Sequence, residues 1–301
     1  MPSFRTERRA PGWKASRARL IALIVLLALG PGAVRADGPA QERLEEEIRK
    51  QDEIYSSRGA DVPDEYVTSR TLSRYAELLP SGFTGALARL GSADRWLDVG
   101  AGRGQAILDY FQCDAAPAGT CARPAGKARA VAVSIEDRRT DQWRQRAASL
   151  GEDRIRYLHG KRLRDYSREE LGTFRIITDV YGGFTYTDGL SLFVHSVLEL
   201  LETGGDFYTL VLGVRLEDGK DDPKTGYFTE LVDAAGQDVK VCSWLKSISC
   251  VQVVCESKSA WETPTELIHI RKACDNVRVP PTRLLEYQAG VPPGRRFQLE
   301  P

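Results

Sequence analysis

From Arg95 onward, short apolar runs alternate with amphipathic stretches of helical period, the pattern of a mostly parallel sheet covered by helices on both faces. The runs predict seven strands, at Arg95–Val99, Arg129–Ile135, Ile155–His159, Phe174–Asp179, Asp206–Leu212, Cys250–Glu256 and Leu267–Arg271. Between them, Gly104–Phe111, Arg138–Leu150, Leu190–Leu201 and Gly226–Ala235 carry the period of crossover helices. Ahead of the first strand, residues 41–54 place Leu44, Ile48 and Ile54 on one side of a charged helix, a lid or surface helix. Thr71–Leu79, stopped by Pro80-Ser81-Gly82, and Phe83–Leu90, stopped by Gly91, complete an N-terminal helical layer over the sheet. The end of the chain, with Pro280, Pro281, Pro292 and Pro293, reads as an extended, surface-bound tail. The expectation is an α/β fold with a helical extension over residues 37–82, a main domain over residues 83–275 and a Pro-rich tail over residues 276–301.

Charge changes this picture only at the N-terminus. The 301 residues hold 42 basic and 42 acidic side chains, but residues 1–36 carry seven of the basic ones and a single acid. The remainder is therefore acidic, 35 against 41, and offers no bulk electrostatic footprint for nucleic acid. The basic stretch Arg5–Arg19, the apolar run Leu20–Leu29 and the small-residue exit Val34-Arg35-Ala36 read as an export signal cleaved after Ala36. That run is about half of what a membrane-spanning helix needs, and an uncleaved anchor is the alternative. A periplasmic or secreted protein follows. All six cysteines, at 113, 121, 242, 250, 255 and 274, lie beyond this segment, and an even number in an exported chain favours disulfides. Cys113 with Cys121, and Cys242 with Cys250, are the locally economical pairs, while strand alternation puts Cys250 and Cys255 on opposite faces. No metal site is expected: there is no Cys-x-x-Cys, and the histidines at 159, 195 and 269 are scattered.

The sharpest local feature is Trp96-Leu97-Asp98-Val99-Gly100-Ala101-Gly102-Arg103-Gly104-Gln105-Ala106-Ile107, an apolar strand ending in an acid and running into alternate glycines before a helix. Such a turn lets a ligand approach backbone amides at a strand's C-terminal end. Its glycine spacing is not that of the dinucleotide fingerprint, and it lacks the Lys-Ser/Thr of a phosphate loop. Asp98 disfavours a phosphate and suits an ammonium group.

This stretch resembles motif I of the class I S-adenosylmethionine-dependent methyltransferases, and the resemblance extends from Phe83 to Arg271. It implies a seven-strand, mostly parallel, Rossmann-like sandwich with S-adenosylmethionine as cofactor. Gly100, Gly102 and Gly104 would pass under its amino acid part, and Asp98 would help hold its amino group. Val131–Glu136 then ends in the acid that would accept the ribose diol. Glu136 lies 36 residues beyond Gly100, and removing the Cys-containing segment 113–127 leaves 21, close to the usual spacing. That segment reads as a surface insertion clipped by a disulfide. After the third strand, Asp165 is either the adenine contact or the N-terminal cap of a helix. Asp179, ending the fourth strand, either orients the acceptor and takes its proton or caps its loop, and Tyr181 and Tyr186 line an acceptor pocket or pack. Asp179 and Tyr181 are the candidate catalytic pair. The acceptor expected is a small molecule or protein rather than nucleic acid, since strand four lacks the Pro-Pro-aromatic turn of exocyclic amine methylation. A non-catalytic exported binding or scaffold protein that keeps the fold is the alternative, and oligomeric state stays open.

Overall fold

The computed structural model describes residues 69–112, 126–212, 229–258, 265–288 and 294–301, together with residue 49. The export signal, the charged helix of residues 41–54 apart from Arg49, and residues 113–125 of the insertion, with Cys113 and Cys121, lie outside the described residues. Two short helices lead in, α1 (Leu72–Leu78) and α2 (Phe83–Ala88). Thr71 caps α1, its side-chain oxygen accepting from the Arg74 amide at 3.2 Å.

The main sheet contains β1 (Arg95–Val99), β2 (Arg129–Val133), β3 (Ile155–Leu158), β4 (Phe174–Asp179), β5 (Leu201–Leu212), β7 (Val251–Lys258) and β8 (Thr265–Lys272), with β6 (Thr229–Val232) lying in a second sheet. Its order is β3-β2-β1-β4-β5-β8-β7; β1 to β5 run parallel, and β8 is antiparallel to both of its neighbours. This is the Rossmann-like layering that the motif resemblance implies, and all seven predicted strands are present. The crossovers include α3 (Gln105–Phe111), α4 (Asp141–Leu150) and α7 (Leu190–Leu200). Short helices α5 (Arg168–Leu171) and α6 (Gly183–Tyr186) flank β4.

Alternation divides the core into two layers. Trp96, Ala130, Ala132, Ile176, Tyr208 and Leu210 face α1, α2, α3 and α4, whereas Leu97, Val99, Val131, Val133, Ile177 and Phe207 face α7 and α8 (Val241–Lys246). The N-terminal helical layer is thus half of a core rather than an appendage, because Tyr75, Leu78 and Phe83 are buried in it.

Three expectations are corrected. Gly226–Ala235 does not form a crossover helix: β6 (Thr229–Val232) occupies the described part, burying Leu231 and Val232. The Pro-rich tail is not surface-bound. It folds into β9 (Thr282–Gln288) and β10 (Gly294–Leu299), antiparallel to each other, with β10 parallel to β6. Phe297 and Arg295 of β10 are fully buried, and Pro280 and Pro281 precede β9, where no ladder amide is needed, while Pro292 and Pro293 lie outside the described residues. Finally, Cys242 bonds to Cys255 and Cys250 to Cys274, with Cα separations of 6.4 and 5.1 Å. The economical pair Cys242–Cys250 fails because α8 lies against β7, which brings Cys242 to a strand residue, and Cys250 instead meets the end of the β7–β8 hairpin.

Among the described residues, no helix is long and apolar enough to cross a membrane, and no group of His, Cys, Asp or Glu is arranged to hold a metal ion.

Candidate functional site

A cavity opens over the C-terminal ends of β1, β2 and β4, the position where ligands bind to open parallel sheets. Its empty volume, counted out to the open mouth, is about 1030 Å³, and Gly100, Gly102, Glu136 and Tyr181 are among its lining residues.

The glycine turn is held open by its backbone. Gly100, Gly102 and Gly104 have φ of 69°, 54° and 74°, a region that a side chain would strain. Gly100 and Ala101 donate their amides to the Val133 carbonyl at 2.9 and 3.1 Å, which ties the turn to the end of β2. A side chain on Gly100 would overlap the backbone of Gly182, so the ends of β1 and β4 meet glycine on glycine. Gly104 has a different duty. It precedes α3, and its missing side chain makes room for the Trp143 ring, a packing role rather than a ligand contact.

Tyr157 on β3 joins this turn to the next loop. Its hydroxyl donates to the Gly102 carbonyl at 2.6 Å, lies 3.3 Å from the Glu136 carbonyl and accepts from the Arg138 amide at 3.4 Å. Burial raises the Tyr157 phenol above its ordinary pKa, which keeps it a donor. The Glu136 carboxylate pairs with Arg138 at 2.6 Å on the cavity wall. The resemblance supplied Glu136; Tyr157 was passed over because its only signal was a polar hydroxyl within an apolar strand.

Asp98 is not among the cavity-lining residues. Alternation turns it to the Trp96 face, under α1, and its contacts there occupy both oxygens. The Tyr75 hydroxyl lies 3.0 Å from each, and Thr178 Oγ1 donates to Oδ1 at 2.7 Å while accepting from Trp96 Nε1 at 2.8 Å. Burial pushes Asp98 up to about 7 against the pull of these donors. It therefore supports the turn from beneath. Asp179 is likewise absent from the lining residues. Its oxygens accept the amides of Gly182 at 3.0 Å and Phe184 at 2.9 Å, so it caps the β4–α6 turn, and burial pushes it up to about 7. The capping alternative is the one the geometry carries. Asp165 accepts from the Arg162 amide at 3.2 Å in a 3-10 turn (Leu163–Asp165), the capping geometry, and is not among the described residues of the cavity wall.

Tyr181 and Tyr186 do line the cavity. Tyr181 has φ of 52°, an uncommon conformation for a bulky residue, and the Arg70 guanidinium lies over its ring, 4.9 Å from the centroid. Further wall residues that sequence reasoning left aside are Arg70, Gly182, Gly183, Asp188 and Phe193. The Gly182-Gly183 pair after a predicted strand was the available signal, since a side chain on Gly182 would run into the Val99 carbonyl.

No family model matches the chain, and none of the curated proteins matches it. Among solved structures, an rRNA methylase from Streptococcus thermophilus aligns at 13% identity over 65% of this chain and 97% of its own, with a TM-score of 0.41. Precorrin-6y C5,15-methyltransferase from Geobacter metallireducens aligns at 14% identity over 70% and 96%, with a TM-score of 0.39. The Streptococcus mutans protein SMU.1697c, in complex with SAH, aligns at 14% identity over 64% and 97%, with a TM-score of 0.40. Identities and scores of this size say nothing of an acceptor.

Proposed function

We propose that the protein transfers a methyl group from S-adenosylmethionine to an acceptor bound in the cavity above β1, β2 and β4. The observation that carries this reading is the junction made by Tyr157, which ties the Gly102 turn to the Glu136 loop so that backbone and carboxylate line one space. The residues suit the cofactor. Gly100 and Gly102 leave the turn bare for its amino acid part, and Glu136 offers a carboxylate to the ribose diol. Asp98 acts at one remove, holding the turn rather than the ammonium. Held there, S-adenosylmethionine would supply an activated methyl on its sulfonium. The chain's own work is to bind, align and exclude water. Tyr181, Tyr186 and Phe193 provide walls for the acceptor, which we take to be a small molecule or protein. The two disulfides fit an oxidising compartment, in keeping with export to the periplasm or beyond.

Calorimetric titration of the oxidised protein with S-adenosylmethionine and its demethylated product tests the reading. Micromolar binding is expected, abolished by Gly102→Val and weakened by Glu136→Ala by about 1.5 to 3 kcal/mol per lost charged hydrogen bond. A folded sample that binds neither compound would overturn it and leave a scaffold with an idle glycine turn.

A further inference from the structure

A sheet that ends in solvent leaves a row of backbone groups open to another chain unless the last strand is short, bulged, charged or covered. Among the described residues, three of the four sheet ends here carry such a device. β3 is four residues long and includes the exposed Arg156. β6 is equally short, and its Leu231 carbonyl accepts from the Val239 amide at 2.7 Å. β9 has a register shift against β10 and exposes Arg283 and Glu286. The remaining end is β7, which runs eight residues beside β8 with no shift in register and holds no proline. Its first five residues, Val251-Gln252-Val253-Val254-Cys255, are uncharged, and Val254 is 52% exposed. No backbone hydrogen bond joins residues 251–258 to any described residue outside β8.

The pairing with β8 decides which groups turn outward. Opposed residues of an antiparallel pair exchange hydrogen bonds at every second position, and the Ala273 amide donates to the Cys250 carbonyl at 2.7 Å, one step before Val251 opposite Lys272. Gln252, Val254, Glu256 and Lys258 therefore direct their backbone groups to β8, while Val251, Val253, Cys255 and Ser257 direct theirs outward. A second β7, antiparallel and related by a two-fold axis at Val254, uses every outward residue. Val251 then faces the partner's Ser257 and Val253 faces the partner's Cys255, with about eight hydrogen bonds across the seam. The side chains agree with this register. Val254 would meet the partner's Val254 as a non-hydrogen-bonded pair, in which Cα atoms come to about 4.5 Å, and the exposed Gln252 would set its amide against the partner's Glu256. No like charges stand opposite. Moving the axis to Cys255 would leave Val251 unpaired and put Val254 against the partner's Glu256.

We infer that the chain forms a two-fold homodimer by pairing β7 with β7 of a second copy, a contact that goes beyond the methyltransferase reading and stands apart from it. The seam is one strand wide, and a dissociation constant of about 10 μM suits it. Sedimentation equilibrium of the full oxidised chain from about 1 to 100 μM tests this, alongside V254K, Q252E and Q252K, all at exposed positions. The wild type should become dimeric toward the top of that range. V254K, which sets two ammonium groups together on the axis, should weaken the dimer about tenfold or more, and Q252E, opposite the partner's Glu256, should weaken it severalfold. Q252K should tighten it severalfold, a gain that damage to the fold would not produce. Amide exchange reads the seam directly. The amides of Val253, Cys255 and Ser257 should slow as the chain is concentrated, whereas those of Gln252, Val254 and Glu256 should be slow at every dilution. A chain still monomeric at about 100 μM, or a dimer whose strength ignores all three substitutions, would overturn the inference. So would Val253 and Cys255 amides already protected in the monomer, since another segment of the same chain would then cover the edge.

Discussion

Asp98 and Asp179 end neighbouring strands, both are fully buried, and burial pushes both up to about 7, yet their carboxylates are met in opposite ways. Asp98 is held by hydroxyls from distant chain, Tyr75 on α1 and Thr178 on β4. Asp179 is held by amides three and five residues further on, those of Gly182 and Phe184. One aspartate is a tertiary tie between the helical layer and the sheet; the other is a local cap that shapes the turn beneath Tyr181. The same residue type one register step apart on adjoining strands, Asp98 opposite Thr178 and Asp179 opposite Val99, therefore serves two different ends, and neither carboxylate is among the described residues of the cavity wall.

The comparison breaks hardest at the seam between the two strand ends. Gly182→Val should cost more than about 3 kcal/mol, since its side chain would meet the Val99 carbonyl and the Gly100 backbone, neither of which can yield cheaply. Urea unfolding reads this, and a valine variant within about 1 kcal/mol of wild type would show that the strand ends do not touch. Next comes Asp179→Ala, expected to cost about 2 to 4 kcal/mol by leaving two buried amides without an acceptor. Asp98→Asn should cost less, near 1 kcal/mol, because the amide oxygen still accepts and the carboxyl it replaces is readily neutral; the two midpoints measured side by side would reverse if the cap were the weaker tie. Tyr75→Phe removes one donor while keeping the ring, and about 1 to 2 kcal/mol is expected together with faster amide exchange in α1.

A further test lies in the pH dependence. Both carboxyls hold their protons in the folded state above the ordinary value of 3.8, up to about 7. Between those values the folded chain binds more protons than the unfolded one, so stability from these groups is present below about pH 4 and is lost as pH rises through 7. Denaturant midpoints taken across this window should fall less steeply in Asp98→Asn than in wild type, and parallel curves would remove Asp98 from the titration.

Legibility followed the range of the interactions. Strand positions were readable because a buried parallel strand must be a continuous apolar run, and Gly100 and Gly102 because their positive φ demands glycine. Glu136 became readable once the insertion was set aside. Asp165 and Asp179 left cap and ligand open, since a carboxylate at a strand or helix end suits both until its neighbours are placed. The tail misled because four prolines suggested an exposed strap, while the i, i+2 spacing of Phe297 and Leu299 was the countervailing strand signal.

The sequence by itself determined the seven strands of the main sheet, the bare glycine turn and the acid that follows it, because these depend on periodicity and on backbone freedom within a few residues. Only the tertiary structure decided that Tyr75 and Tyr157 brace the turn and that Cys242 meets Cys255. Those contacts join segments far apart in the chain, and burial and partner geometry, which select among the many pairings that composition allows, exist only once the layers have packed.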